Sequence, residues 1–257
     1  MRRLFPVTDQ TSLSAGCPGG PGAGSGADSG ADSGAGSADR EWSLDELAEA
    51  YAYPELGPDD HWLRANMVST LDGAAQHEGR SQPISNETDM RIFGTLRALA
   101  DVVIAGAETV RQEGYRPARA REAFAARRAA AGQGPAPAIA VVTAGLDLDF
   151  SLPLFTSPLA PTLVVTGAGA PADRVAEAVR AGAEVVVAGD GTGVDPARAV
   201  QELAARGLRR QLTEGGPRLL GQFVAAGVLD ELCLTISPTP ASVLEEAGFL
   251  FTRYRRI

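Results

Sequence analysis

RRQLTEGGPRLLGQF, residues 209–223, changes character halfway along. Its first half is a short run ending at Glu214; from Pro217 onward the apolar residues fall at helical spacing. Gly215 and Gly216 stand between the halves. Glycine tolerates left-handed backbone and close approach of another group. Pro217 suits a first helical position, where its missing N–H costs nothing. The stretch therefore reads as strand, tight turn, helix. Free N–H groups and the helix dipole at such a start favour an anion. A carboxylate directly before an anion-favouring turn is an electrostatic contradiction.

The same strand–helix alternation recurs outward from this stretch. Continuous apolar runs predict strands at DVVIAG (101–106), AIAVVT (138–143), PTLVVTG (161–167), AEVVVAG (183–189) and DELCLTIS (230–237). WLRANMVS (62–69) predicts the first strand and GFLFTRYRR (248–256) the last. Ser43 is suited to cap a helix through Tyr51, and Asn86 one that runs to about Ala100. Further helices are expected at about 107–113, 119–131, 171–181, 195–206 and 217–226. Such runs separated by helices imply a sheet buried on both faces and mostly parallel. The last two strands have no helix between them, so antiparallel C-terminal strands are expected. The fold class is α/β in three layers. Ligands in such sheets collect beyond the carboxyl ends of the strands, where Ser69, Gly106, Thr143 and Glu214 fall. The long Thr70–Ser85 loop is of the kind that usually carries function.

The 257 residues are 44 % hydrophobic and 21 % charged, enough for a substantial core. A net charge of −9 argues against a basic nucleic-acid footprint. Two cysteines, Cys17 and Cys233, exclude a disulfide framework or a cysteine-based zinc site. The chain holds no run of about 18 apolar residues and no signal-like apolar stretch after its Met-Arg-Arg start. A cytoplasmic protein without membrane spans is expected. Residues 14–39 are Gly, Ala, Ser, Asp and Pro, which cannot bury enough apolar surface to offset ordering entropy. A disordered leader over 1–41 and a single domain over 42–257 follow.

Candidate chemistry gathers in three places. Asp72-Gly73 is a turn dipeptide, and Asp72, Ser81 and Gln82 are polar groups suited to a pocket. Thr109 and Glu113, four apart, share a helix face just beyond a strand. Arg111, Arg116 and Arg119 add positive charge suited to phosphate. The third place is the Glu214 turn. No His/Asp/Glu spacing suggests a metal, and no G-x-S-x-G, H-E-x-x-H, phosphate-loop or Rossmann glycine pattern is present.

Together RANMVSTLDGAAQHEGRSQPIS, LRALADVVIAGAETVRQE and LTEGGPRLLGQFVAAGVLDELCLTISP resemble the riboflavin-biosynthesis pyrimidine reductases, over roughly residues 60–257. The stand-alone form of high-GC bacteria is the nearest likeness. The resemblance implies a dihydrofolate-reductase-like fold, NADPH as cofactor, and a phosphorylated pyrimidine substrate whose ribosyl group is reduced to ribityl. It implies substrate contacts at Ser81, Arg97 and Glu214, with Arg97 at the 5′-phosphate and Arg116 or Arg119 as a second phosphate ligand. It places Val68, Pro83, Thr109, Glu113 and Ala144 beside the dinucleotide, and the run Gly216, Pro217, Arg218, Leu219, Leu220, Gly221 and Gln222 at its pyrophosphate. Asp72 is the candidate for orienting the reacting groups, and Arg111 a candidate 2′-phosphate partner. Reductases of this family are often dimers, so a homodimer is expected.

Two departures stand out. Position 74 is Ala, where relatives carry Arg or Lys, and ISPTPASVLEEAGFLF joins Pro238 to the last strand almost directly. The domain is therefore expected to be shortened near Thr239–Pro240. Two other readings stay open: a sister reductase of another substrate such as dihydrofolate, and a non-catalytic nucleotide-binding protein.

Overall fold

The computed structural model describes residues 41–70 and 73–237, and the backbone of 250–255. Residues 1–40 of the expected leader, Asp72 and the expected shortening near Thr239–Pro240 lie outside the described residues. The chain divides into two compact units, Met1–Glu46 and Leu47–Ile257. In the first, Ser43 Oγ accepts from Glu46 N at 3.2 Å and the Glu46 carboxylate accepts from Ser43 N at 2.8 Å. This reciprocal capping box satisfies free donors at the start of helix α1 (Leu44–Ala50).

The second unit is built on one sheet. Its strands are β1 (Trp62–Thr70), β2 (Val102–Gly106), β3 (Ala138–Val142), β4 (Leu163–Thr166), β5 (Glu184–Val187), β6 (Arg210–Gly215) and β7 (Glu231–Ser237). These seven lie in the order β5-β4-β3-β2-β6-β1-β7, every pairing parallel. Strand β7 is still part of the parallel set. A full helix precedes that strand and returns the chain to the same end of the sheet, so β7 joins β1 in parallel. The segment Leu250–Arg255, β8, pairs antiparallel with β7.

The helices are α2 (Glu87–Leu99), α3 (Ala107–Glu113), α4 (Glu122–Ala130), α5 (Pro153–Thr156), α6 (Ala172–Arg180), α7 (Pro196–Ala205) and α8 (Pro217–Ala225). Asn86 caps α2 as its side chain predicts, accepting from Asp89 N at 2.8 Å. The single turn α5 has no counterpart in the sequence reading. Right-handed crossovers put α2 through α6 on one face, where α2 packs on α4, and α7 with α8 on the other. Leu63, Ile104, Val165, Val186, Leu203 and Phe223 are buried between these layers. The chain leaves β1 toward β2 but leaves β6 toward β7, in opposite directions. That switch opens a crevice above the carboxyl ends of β1, β6 and β2.

One buried ion pair ties β1 to β7. Arg64 and Glu231 are partners in the register, and both side chains are fully buried. Arg64 Nη2 donates to Glu231 Oε2 at 3.0 Å and Nη1 to Tyr51 O at 2.8 Å. Trp62 Nε1 donates to the same carboxylate oxygen at 2.9 Å, and the Tyr53 ring lies 4.1 Å from the guanidinium carbon. Removing one partner strands the other charge in the interior, which costs about 3–5 kcal/mol. Glu231→Gln is expected to lower the unfolding free energy by about that amount in urea denaturation. Replacing both Arg64 and Glu231 by methionine is expected to cost less than the single change.

Candidate active site

The crevice is a cleft of about 1280 Å³. Asn66, Met67 and Val68 of β1 form part of its wall. The register between β2 and β6 explains how Glu214 enters it. Ile104 faces Thr213, but Ala105 faces Gly215, so Glu214 is the extra residue of a bulge. A bulge re-aims the side chain it carries. The Glu214 carboxylate meets Arg97, in the last turn of α2. Arg97 Nε donates to Oε1 at 2.6 Å and Nη2 to Oε2 at 2.5 Å. Tyr115, just past α3, donates its hydroxyl to Oε2 at 2.5 Å. The Phe93 and Tyr115 rings lie 4.5 and 5.3 Å from the Arg97 guanidinium carbon. Glu214 is 4 % exposed and Arg97 23 %. The carboxylate before the turn is therefore neutralised by a bidentate guanidinium, and the electrostatic contradiction disappears.

These contacts keep Tyr115 and Arg97 protonated. Burial first, and the Glu214 charge second, push the Tyr115 phenol well above its ordinary value, so it stays a donor. Burial works against the Arg97 charge, but Glu214 outweighs it and holds the guanidinium charged.

Beyond Glu214 the chain turns through Gly215, whose φ of 87° lies in the left-handed region. A Cβ there would stand 3.1 Å from Met67 Sδ. The Gly215–Gly216 peptide bond is cis. Helix α8 then starts at Gly216 with no side-chain cap, and α3 starts beside it at Gly106, also uncapped. Added Cβ atoms would lie 3.8 Å from Gly215 O at Gly106 and 2.9 Å from Thr109 Oγ1 at Gly216. Two helix starts thus adjoin with only glycine backbone between them, their first N–H groups left open.

Ala75, Gln76, Ser81, Gln82 and Ser85 of the loop before α2 border this site. Ser81 N donates to Glu113 Oε1 at 2.8 Å. Asp89, buried in α2, accepts from Ser85 Oγ at 2.5 Å and Thr235 Oγ1 at 2.7 Å, joining loop, helix and β7.

Among the residues expected from sequence, Ser81, Arg97, Glu214, Val68, Thr109, Glu113 and the run Gly216 to Leu219 line the cleft. Pro83 sits exposed in the short 3₁₀ turn Gln82–Ile84, away from the lining. Ala144 is exposed past the end of β3 and does not line it either. Helical rotation carries Leu220, Gly221 and Gln222 out of the lining. Arg111 is engaged elsewhere, 3.2 Å from Asp147. Tyr115, Phe93, Asp89 and Arg121 were not anticipated. Tyr115 carries no local signal, because its partner is 99 residues away. The described residues hold no cluster of metal-ligating side chains, and no described helix is long and apolar enough to cross a membrane.

A family model described as the RibD C-terminal domain matches residues 61–240. The chain belongs to the RibD C-terminal domain family. It is 30 % identical over 178 residues to the 2,5-diamino-6-ribosylamino-4(3H)-pyrimidinone 5′-phosphate reductase of Archaeoglobus fulgidus, 69 % of this chain and 80 % of that one. To the reductase of the same name from Methanothermobacter thermautotrophicus it is 33 % identical over 175 residues, 67 % of this chain and 76 % of the other. Among solved structures, a pyrimidine reductase-like protein from Corynebacterium diphtheriae superposes with a TM-score of 0.69 at 26 % identity, over 82 % of this chain and 98 % of that chain.

The Tyr115 phenol gives a pH prediction. Its folded pKa is raised, so its contribution is fully present below the unfolded value of 10.0 and is lost as pH rises toward the folded value. Unfolding free energy should therefore fall above about pH 10, by up to about 1.4 kcal/mol per pH unit for this one group. In Tyr115→Phe that alkaline slope should be shallower. Parallel slopes in denaturant titrations of the two proteins would remove the phenol from the cluster's energetics.

Proposed function

We propose that the protein reduces the ribosyl group of a ribosylaminopyrimidine 5′-phosphate to ribityl, with NADPH as the hydride source, as a step of riboflavin biosynthesis. The observation that carries this reading is the pair of uncapped, glycine-lined helix starts opening on the same cleft as the Arg97–Glu214–Tyr115 cluster. The names of the two archaeal relatives support the substrate.

The turn fits a dinucleotide. At Gly216 a side chain would fill the space against Thr109 Oγ1, so the bare backbone keeps an anion's approach open. Gly216, Pro217, Arg218 and Leu219 would hold the pyrophosphate, with Val68, Thr109 and Glu113 close to the dinucleotide. Bound there, reduced nicotinamide supplies a hydride for C1′ of the opened, imine-like sugar. The protein's share is positioning. An ionised carboxylate has about four acceptor sites. Arg97 and Tyr115 donate three hydrogen bonds to Glu214, leaving room for one substrate hydroxyl. Glu113 holds Ser81 by its backbone N–H, and the Ser81 hydroxyl would make a second substrate contact. A cytoplasmic homodimer is the setting this reading implies.

The test is oxidation of NADPH, and separately NADH, by the purified protein. The substrates are 2,5-diamino-6-ribosylamino-4(3H)-pyrimidinone 5′-phosphate, its deaminated uracil counterpart and dihydrofolate. Turnover with a ribosylaminopyrimidine and NADPH, and none with dihydrofolate, is expected. A folded protein that binds NADPH but reduces none of the three sinks the proposal.

A further inference from the structure

Glu214 receives three hydrogen bonds, and they fall unequally on its two oxygens. Oε1 accepts from Arg97 Nε alone, at 2.6 Å. Oε2 accepts from Arg97 Nη2 and from the Tyr115 hydroxyl, both at 2.5 Å. Each oxygen of a carboxylate has about two acceptor sites. Oε2 is therefore saturated, and the one open site of this buried carboxylate lies on Oε1. No further donor reaches Glu214 among the described residues.

Arg97 by itself does not make this asymmetry. A bidentate guanidinium takes one site from each oxygen and leaves one on each. Two open sites side by side on a carboxylate suit two neighbouring hydroxyls, the pattern that a ribosyl or ribityl chain presents. The Tyr115 hydroxyl closes one of the two. Its place is set by the backbone: α3 ends at Gly114, with a φ of 62°, and Tyr115 N donates to Val110 O at 3.0 Å. The Tyr115 ring lies 5.3 Å from the Arg97 guanidinium carbon, and Tyr115, Arg97 and Glu214 all line the cleft.

We propose that Tyr115 is a positioning residue that restricts Glu214 to a single substrate hydroxyl, taken on Oε1, and keeps it from gripping two neighbouring hydroxyls. This rests on the substrate class proposed above and deepens it. The restriction bears on rate. A carboxylate that holds two hydroxyls of the ground state gains binding that the reaction does not use, and such binding lowers KM and kcat together. With a single contact the sugar chain keeps the freedom to turn C1′ toward the cofactor.

Tyr115→Phe tests the restriction, because phenylalanine keeps the ring beside Arg97 and removes only the hydroxyl. KM and kcat are measured for the ribosylaminopyrimidine 5′-phosphate and for its 3′-deoxy analogue, with NADPH affinity and melting temperature alongside. The analogue has no two neighbouring hydroxyls, whether its sugar is open or closed. In Tyr115→Phe, KM for the full substrate should fall by about tenfold, the worth of one further hydrogen bond to a charged group. The value of kcat should fall with it, so that kcat/KM changes little. For the analogue both constants should stay as in the wild type, and NADPH affinity should not follow. A general loosening of the site would instead raise KM for both compounds. A KM for the full substrate that is unchanged or raised overturns the proposal, and so does an equal fall for the two compounds.

Should the wild type reduce neither compound, the functional reading fails and the grip is read by calorimetry, with ribose 5-phosphate against its 3-deoxy form. A preference for ribose 5-phosphate that grows by about tenfold in Tyr115→Phe upholds the role of Tyr115. The same preference in both proteins, or binding of neither sugar, overturns it.

Discussion

The bidentate contact between Arg97 and Glu214 is the constraint around which the cleft is arranged. Glu214 reaches it because β6 bulges where it pairs with β2. Arg97 reaches it because Asn86 starts α2 at a fixed place, about three turns earlier. Tyr115 reaches it because α3 ends at Gly114, in left-handed backbone, one residue before. Three elements from distant parts of the chain therefore share one carboxylate. With its charge matched on the α2 side, the neighbouring helix starts can keep their positive potential for a ligand.

The sheet was largely legible in the sequence, for a simple reason. Strands buried on both faces must be apolar throughout, and DVVIAG or AIAVVT can hardly be read otherwise. Helices α2, α3 and α8 were legible because Asn86, Gly106 and the Gly216-Pro217 pair mark their starts. The turn α5 was too short to show a period.

The site was legible as members and not as contacts. Ser81 with Glu113, and Arg97 with Glu214, stood out singly by motif, yet each pair is bonded within the protein across 32 and 117 positions of chain. No spacing rule reaches that far. Tyr115 and Arg121 belong to the same class. Their surroundings are made by tertiary packing, and only Gly94, inside α2 and against the Arg121 guanidinium, hinted at one of them. The run Leu220 to Gln222 lies past the first turn of α8, where successive residues no longer face one way, and it does not line the cleft.

The buried Arg64–Glu231 pair has a meaning beyond its strength. Strand β1 runs beside both β6 and β7, and its cleft residues Asn66 to Val68 are in register with Cys233 to Thr235 of β7. A slip of β7 by a single residue would swing Glu231 to the opposite face of the sheet. Arg64 would then be an ion alone in an apolar layer. Apolar partners such as Ala65 and Leu232 would pack nearly as well after sliding, but this charge tolerates only one alignment. The pair therefore acts as an index mark between the two strands, and through β1 it sets the depth at which the cleft floor meets whatever binds above it.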